Sequence, residues 1–126
     1  MMERQSKHRP GGVLKRGDVV LVPFPFTDLT TDKVRPAVIV SADPQETDVT
    51  IAFISSGVSA GWPSETDYVL QQHDPGFAGT GLKKASTFKM RKLVTIERSK
   101  VIRRIGRVSP TIQNELDARL RRAVGL

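Results

Sequence analysis

With 126 residues the chain is long enough for one domain and too short for two, and its lack of cysteine excludes disulfides and thiolate chemistry. Two distant histidines, His8 and His73, give no metal-ligand spacing, and no run of about 18 apolar residues exists; no structural metal, cofactor or membrane partner is expected, and the cytoplasm is the default setting. The formal net charge of +7 points instead to a polyanionic partner.

Residues 1–12 carry Arg4, Lys7 and Arg9 and close on Pro10-Gly11-Gly12, which reads as a flexible basic arm ahead of a single domain at 13–126. Turn chemistry at Lys15-Arg16-Gly17-Asp18 leads into Val19–Val22, a strand by its β-branched content. Pro23 and Pro25 cannot donate to a ladder, so this strand leaves the sheet there or runs along its edge. The polar stretch Thr27 to Lys33 follows as a loop, the natural rim of a site.

The octet Val34-Arg35-Pro36-Ala37-Val38-Ile39-Val40-Ser41 centres the chain. Its nearly continuous apolar run predicts a strand buried on both faces. Pro36 suits its start and biases Arg35 toward extended backbone. That places a guanidinium at the rim of a rigid sheet, which suits a phosphate-handling site. Taken alone, Arg35 is better explained as a strand-end residue pointing into water.

A turn at Ala42 to Asp48 precedes a third strand, Val49–Ile54, which ends at Ser55-Ser56-Gly57. Tyr68–Leu70 is a short fourth strand. Trp62, in the loop between them, suits base stacking or, more commonly for a lone tryptophan, packing over a core. Leu82 to Arg91 sets Lys83, Lys84, Ser86, Lys89 and Arg91 around Phe88 and Met90, a strand with one basic face. The charge is one-sided: seven Lys/Arg against ten Asp/Glu lie up to Leu82, and thirteen against three lie beyond it. A C-terminal third of this kind is expected to contact phosphates.

A basic segment at Arg98–Arg104, with a turn of helix, leads to a last strand at Ile105–Val108. Ser109 is the N-cap and Pro110 the first residue of a terminal helix. Ile112, Leu116, Leu120, Ala123 and Val124 recur at helical spacing and would dock on the sheet. Arg119, Arg121 and Arg122 near its end complement the helix dipole. Short strands followed by one amphipathic helix predict a mainly β (α+β) fold, a small barrel with a C-terminal helix packed on it.

Four marks are weak singly and specific in their order and spacing: Lys15-Arg16-Gly17-Asp18 with its Val-rich strand, Val34 to Val40, Ala52-Phe53-Ile54-Ser55-Ser56, and Gly81-Leu82-Lys83 with Ser86. On these marks, from Lys15 to about Gly125, the chain resembles the MazF/PemK family of toxins from bacterial type II toxin-antitoxin pairs. Phe24-Pro25-Phe26-Thr27-Asp28-Leu29 resembles the PemK-like branch. The resemblance implies an SH3-like barrel that forms a homodimer and a metal-independent endoribonuclease, an mRNA interferase that cuts single-stranded RNA at short sequences. It also implies a cognate antitoxin that blocks the site with an acidic or amphipathic segment.

By position, the family's catalytic arginine falls on Arg35 and its catalytic threonine on Ser55, which retains a hydroxyl. The chain departs from the family where Thr30-Thr31-Asp32-Lys33 replaces a glycine-rich loop. It departs again where Lys92 and Val94 stand in place of the glutamine and arginine of many members. Metal-free cleavage requires the 2'-hydroxyl to attack its own phosphate, with proton transfers and stabilisation of a phosphorane-like charge. Arg35 suits a two-oxygen clamp and Ser55 a further donor. Asp28 and Asp32 are candidate acid-base residues, although on sequence alone each is better explained as a loop-solvating carboxylate. Lys33, Ser56, Lys83, Lys84, Ser86, Lys89 and Arg91 are the expected RNA contacts. The alternatives are a non-cleaving barrel that binds RNA or protein and, by fold analogy alone, a gyrase-poisoning toxin.

Overall fold

The computed structural model of the chain describes residues 13–23, 33–57 and 63–126. Within them, six strands form one antiparallel sheet: β1 (Asp18–Pro23), β2 (Val34–Ala42), β3 (Asp48–Ser56), β4 (Asp67–Leu70), β5 (Ser86–Glu97) and β6 (Arg103–Arg107). Their spatial order is β4-β5-β3-β2-β1-β6. The sheet curls into an SH3-like half-barrel, and one helix, α1 (Pro110–Val124), packs against it.

Period-two alternation gives the sheet two apolar faces. Val19, Val38, Ala52, Ile54, Phe88 and Met90 face α1 and bury its Ile112 and Leu116. Val20, Val22, Ala37, Ile39, Ile51 and Phe53 form the core of the opposite face with Leu14 and Val101. β2 contributes to both, which explains its nearly continuous apolar run. β1 pairs with β6 only over Asp18 to Leu21, so Pro23, at its end, faces β2 alone. The proline therefore removes no hydrogen bond from a β6 ladder.

Asp18 is 1% exposed, and its carboxylate ties β1 to the neighbouring edge strand β6. It accepts from Lys15 N at 2.8 Å and from Arg107 Nη1, and Arg104 Nη1 lies 3.5 Å away. The turn before it is held by Gly17 N donating to Ile39 O at 2.9 Å.

Three expected boundaries shift. β5 begins at Ser86, not Leu82, and runs on to Glu97 because its second half pairs with β3 from Ala52 back to Asp48. Lys83 and Lys84 therefore lie in the bend before the strand. The last strand begins at Arg103, where backbone pairing with Leu21 and Val20 of β1 overrides the weak local propensity of two arginines, and ends at Arg107; a 3-10 turn at Arg98–Lys100 precedes it. On α1 the buried stripe ends with Leu120, and Val124 is exposed.

The helix start is as expected: Ser109 Oγ accepts from Ile112 N at 3.2 Å, with Pro110 in the first turn. Arg119 lies 5.0 Å from the centre of the Tyr68 ring and donates to Asp67 O, clamping α1 to β4. Residues 1–12, Asp28, Asp32 and Trp62 lie outside the described residues.

Candidate functional site

β2 and β3 run antiparallel with Ala37 opposite Phe53. Continuing that register by two residues sets Arg35 opposite Ser55 on the same face of the sheet. Both line a cleft of about 360 Å³ together with Phe53, Ile54, Ser56, Lys89 and Lys92. Pro36 stands just before the buried part of β2, which begins at Ala37, so the backbone under Arg35 is extended and anchored on a rigid core.

A large bulge builds the other wall. Between the β3–β5 pairs Ala52–Leu93 and Ile54–Phe88, the single residue Phe53 faces the four residues Lys89 to Lys92. The surplus shifts the alternation, so Phe88 and Met90 pack toward α1 while Val94 and Ile96 pack on the opposite face. Bulges concentrate beside active sites because they re-aim side chains without ending the sheet. Here the bulge brings both Lys89 and Lys92 to the cleft. Lys89 Nζ is also 3.8 Å from Asp67 Oδ2, which keeps it oriented along the β4 edge.

A second cleft, of about 380 Å³, adjoins the first through Ser56, which lines both. Lys83, Lys84, Leu82 and Ser86 form one wall, and Arg103, Ile105, Leu21 and Pro36 the other. Ser86 is buried, and its hydroxyl donates to Lys84 O at 2.8 Å, shaping the bend that carries the two lysines. Gln72 Nε2 donates to Lys83 O at 3.2 Å from outside. The tip of β3 is fixed against the same bend, with Gly57 N donating to Ala85 O at 2.7 Å and Thr87 Oγ1 to Gly57 O at 3.2 Å.

Together the described linings hold six cations, Arg35, Lys89, Lys92, Lys83, Lys84 and Arg103, and no carboxylate. Such a one-signed concavity attracts polyanions and weakens with salt. Lys33 and Arg91 are exposed and line neither cleft. Sequence reasoning set Lys92 aside as a departure and left Arg103 in a generally basic segment; the structure puts both in the linings. Among the described residues no group of three or more His, Cys, Asp or Glu is arranged to hold a metal, and no helix is long and apolar enough to cross a membrane.

Away from the clefts, at α1, burial raises the Tyr68 hydroxyl above its ordinary value, assisted by the Glu115 and Asp74 carboxylates. Burial alone would also raise Asp117, but hydrogen bonds from Arg16 and Gln113 and the charges of Arg16 and Arg121 outweigh it and hold the carboxyl below its ordinary value.

The fold and the clefts define an SH3-like barrel protein with a cationic surface shaped for a polyanion. The model of the PemK-like, MazF-like toxins of type II toxin-antitoxin systems matches residues 15–124, and the chain belongs to that family. Among solved structures it is similar to an endoribonuclease in complex with its cognate antitoxin from a mycobacterial species, with a TM-score of 0.68, 19% identity, and 90% of this chain and 97% of that one covered. It is likewise similar to the Mycobacterium tuberculosis toxin MazF-mt6 (TM-score 0.66, 22% identity, 86% and 97% covered). A Deinococcus radiodurans MazF matches with a TM-score of 0.66, 17% identity, and 90% and 98% covered. These likenesses speak for the fold. No curated protein matches the chain.

Proposed function

We propose that this toxin is an endoribonuclease whose active site is the cleft between Arg35 and Ser55, and that it cuts single-stranded RNA by attack of the 2'-hydroxyl on the adjacent phosphate. One observation carries the reading: Arg35 and Ser55, from neighbouring strands, line one cleft whose described lining adds two lysines and no carboxylate. Arg35 clamps two non-bridging oxygens, and Ser55 donates to the charge that grows in the transition state. Lys89 and Lys92 screen the same charge and steer the approach of the strand. Asp28 and Asp32 stay in the reading as acid-base candidates on the segment that joins β1 to β2. The hydroxyl retained at Ser55 favours cutting over a barrel that only binds.

The reading includes a cytoplasmic homodimer and a cognate antitoxin. Support for the antitoxin is the family itself and the similar mycobacterial endoribonuclease bound to one. A six-cation surface suits an acidic antitoxin segment as well as it suits RNA. Light scattering of the purified chain measures the dimer.

The experiment is cleavage of a long single-stranded RNA in excess EDTA, beside Arg35→Ala. Discrete cuts that fall by about 100-fold to 1,000-fold in rate in the variant are expected. RNA that survives the wild-type chain intact would sink the reading.

A further inference from the structure

We propose that the second cleft is a phosphate-binding subsite for the RNA strand, with Arg103 as its anchor, holding a nucleotide beyond the one that is cut. The inference rests on the endoribonuclease reading and extends it from Lys83, Lys84, Ser56 and Ser86, the RNA contacts expected there, to Arg103 and to a defined subsite.

Strand β6 carries three arginines within five residues, and their surroundings separate them. Arg107 and Arg104 share the Asp18 carboxylate as their ion-pair partner. The Arg103 side chain has no hydrogen bond or ion pair among the described residues, and it lines the second cleft. The division follows from backbone geometry. The β1–β6 register shifts between Val19 and Val20, so Gly106 pairs with Val19 while Arg104 pairs with Val20. Ile105 is thereby surplus to the ladder, and it lines the cleft with Arg103.

Across from Arg103, the bend holding Lys83 and Lys84 is locked in place. A Cβ on Gly81 would meet Ile105 O at 2.1 Å, and one on Gly106 would meet Thr80 C at 2.3 Å. The two backbones touch, so the lysine wall and the arginine wall are one rigid unit. Its chemistry matches a nucleotide: three cations for phosphate oxygens, with Pro36, Leu82 and Ile105 between them as apolar surface for a base. The volume of about 380 Å³ falls within the range of small-ligand clefts, about 300–1,000 Å³. Continuity through Ser56 places it along one path with the Arg35 cleft, which identifies the occupant as the same RNA strand.

The probes are random-sequence 2'-O-methyl RNAs of 4 and 12 nucleotides, which cannot undergo 2'-hydroxyl attack. Binding is read by fluorescence anisotropy over a salt series, with cleavage of unmodified RNA measured in parallel. Arg103→Gln is expected to weaken the 12-mer by about 10-fold and lower its salt slope by about 1, while the 4-mer is bound as by wild type. Lys83→Gln with Lys84→Gln provides an independent pair on the opposite wall and is expected to act in the same direction.

Wild-type affinity and slope for the 12-mer in both variants would overturn the subsite and leave the endoribonuclease reading standing. A loss seen only with an acidic peptide, and not with RNA, would overturn it in favour of an antitoxin contact. Failure of the wild-type chain to cut RNA or bind either probe would instead bring down the underlying reading, and the subsite with it.

Discussion

Asp18 and Arg107 join the first strand of the sheet to the last through a carboxylate that is almost wholly buried and a guanidinium that is half exposed. The asymmetry matters because the two partners do not tolerate loss equally. Arg107→Ala leaves the Asp18 charge buried with only the more distant Arg104 and one backbone donor. Breaking a buried pair in this sense costs about 3–5 kcal/mol.

Asp18→Asn, by contrast, leaves two arginines that water can reach, and its expected cost is about 1–3 kcal/mol. Urea unfolding of the two variants should therefore rank Arg107→Ala as the more damaging. The reverse order would mean that Asp18 is not the desolvated member of the pair.

Lys92 stands across the first cleft from Arg35 because the bulge in β5 turns it there. Lys92→Ala should raise KM for RNA and reduce cleavage by about 10-fold to 100-fold, less than the loss of Arg35, since it screens charge without clamping it. Steady-state cleavage at two salt concentrations checks this. Lys92→Arg should restore most of the binding, and an effect equal to that of Arg35→Ala would assign Lys92 a direct part in the chemistry.

Gly106 meets the 3-10 turn at Ala78–Thr80 with no room for a side chain. Gly106→Ala places a methyl against backbone atoms, and overpacking of this kind costs about 1–3 kcal/mol. Because the same turn leads into Lys83 and Lys84, RNA binding should weaken along with stability. A melting temperature and an RNA affinity both equal to wild type would show that the loop moves aside freely.

Asp117 links α1 to the turn before β1 through Arg16 Nη2 at 2.6 Å. Its folded pKa lies below the ordinary 3.8, so the contribution of the pair is complete above that value and disappears as pH falls through the folded pKa. Both side chains are partly exposed, and the expected contribution at pH 7 is about 1 kcal/mol or less. The stability difference between wild type and Asp117→Asn should shrink toward zero in strong acid. A difference that stays constant to pH 2 would remove the carboxylate from the account.

The locally encoded parts of the molecule are legible from the residues themselves. Val34 to Val40 announces a strand covered on both faces, and Ser109-Pro110 announces a helix start, because propensity, caps and period-two or helical burial act within a few residues. The meeting of Arg35 and Ser55 was open only through family resemblance, since it depends on how two strands pair. Lys89 and Lys92 are three apart and would sit on opposite faces of a regular strand. They share a cleft only because Phe53 faces four residues of β5. Likewise nothing in the run Arg103-Arg104-Ile105-Gly106-Arg107 separates the arginine that lines a cleft from the two that neutralise Asp18. That division belongs to the register of β1 against β6 and to one buried carboxylate 85 to 89 residues away in the chain, contacts that exist only once β6 has paired with β1.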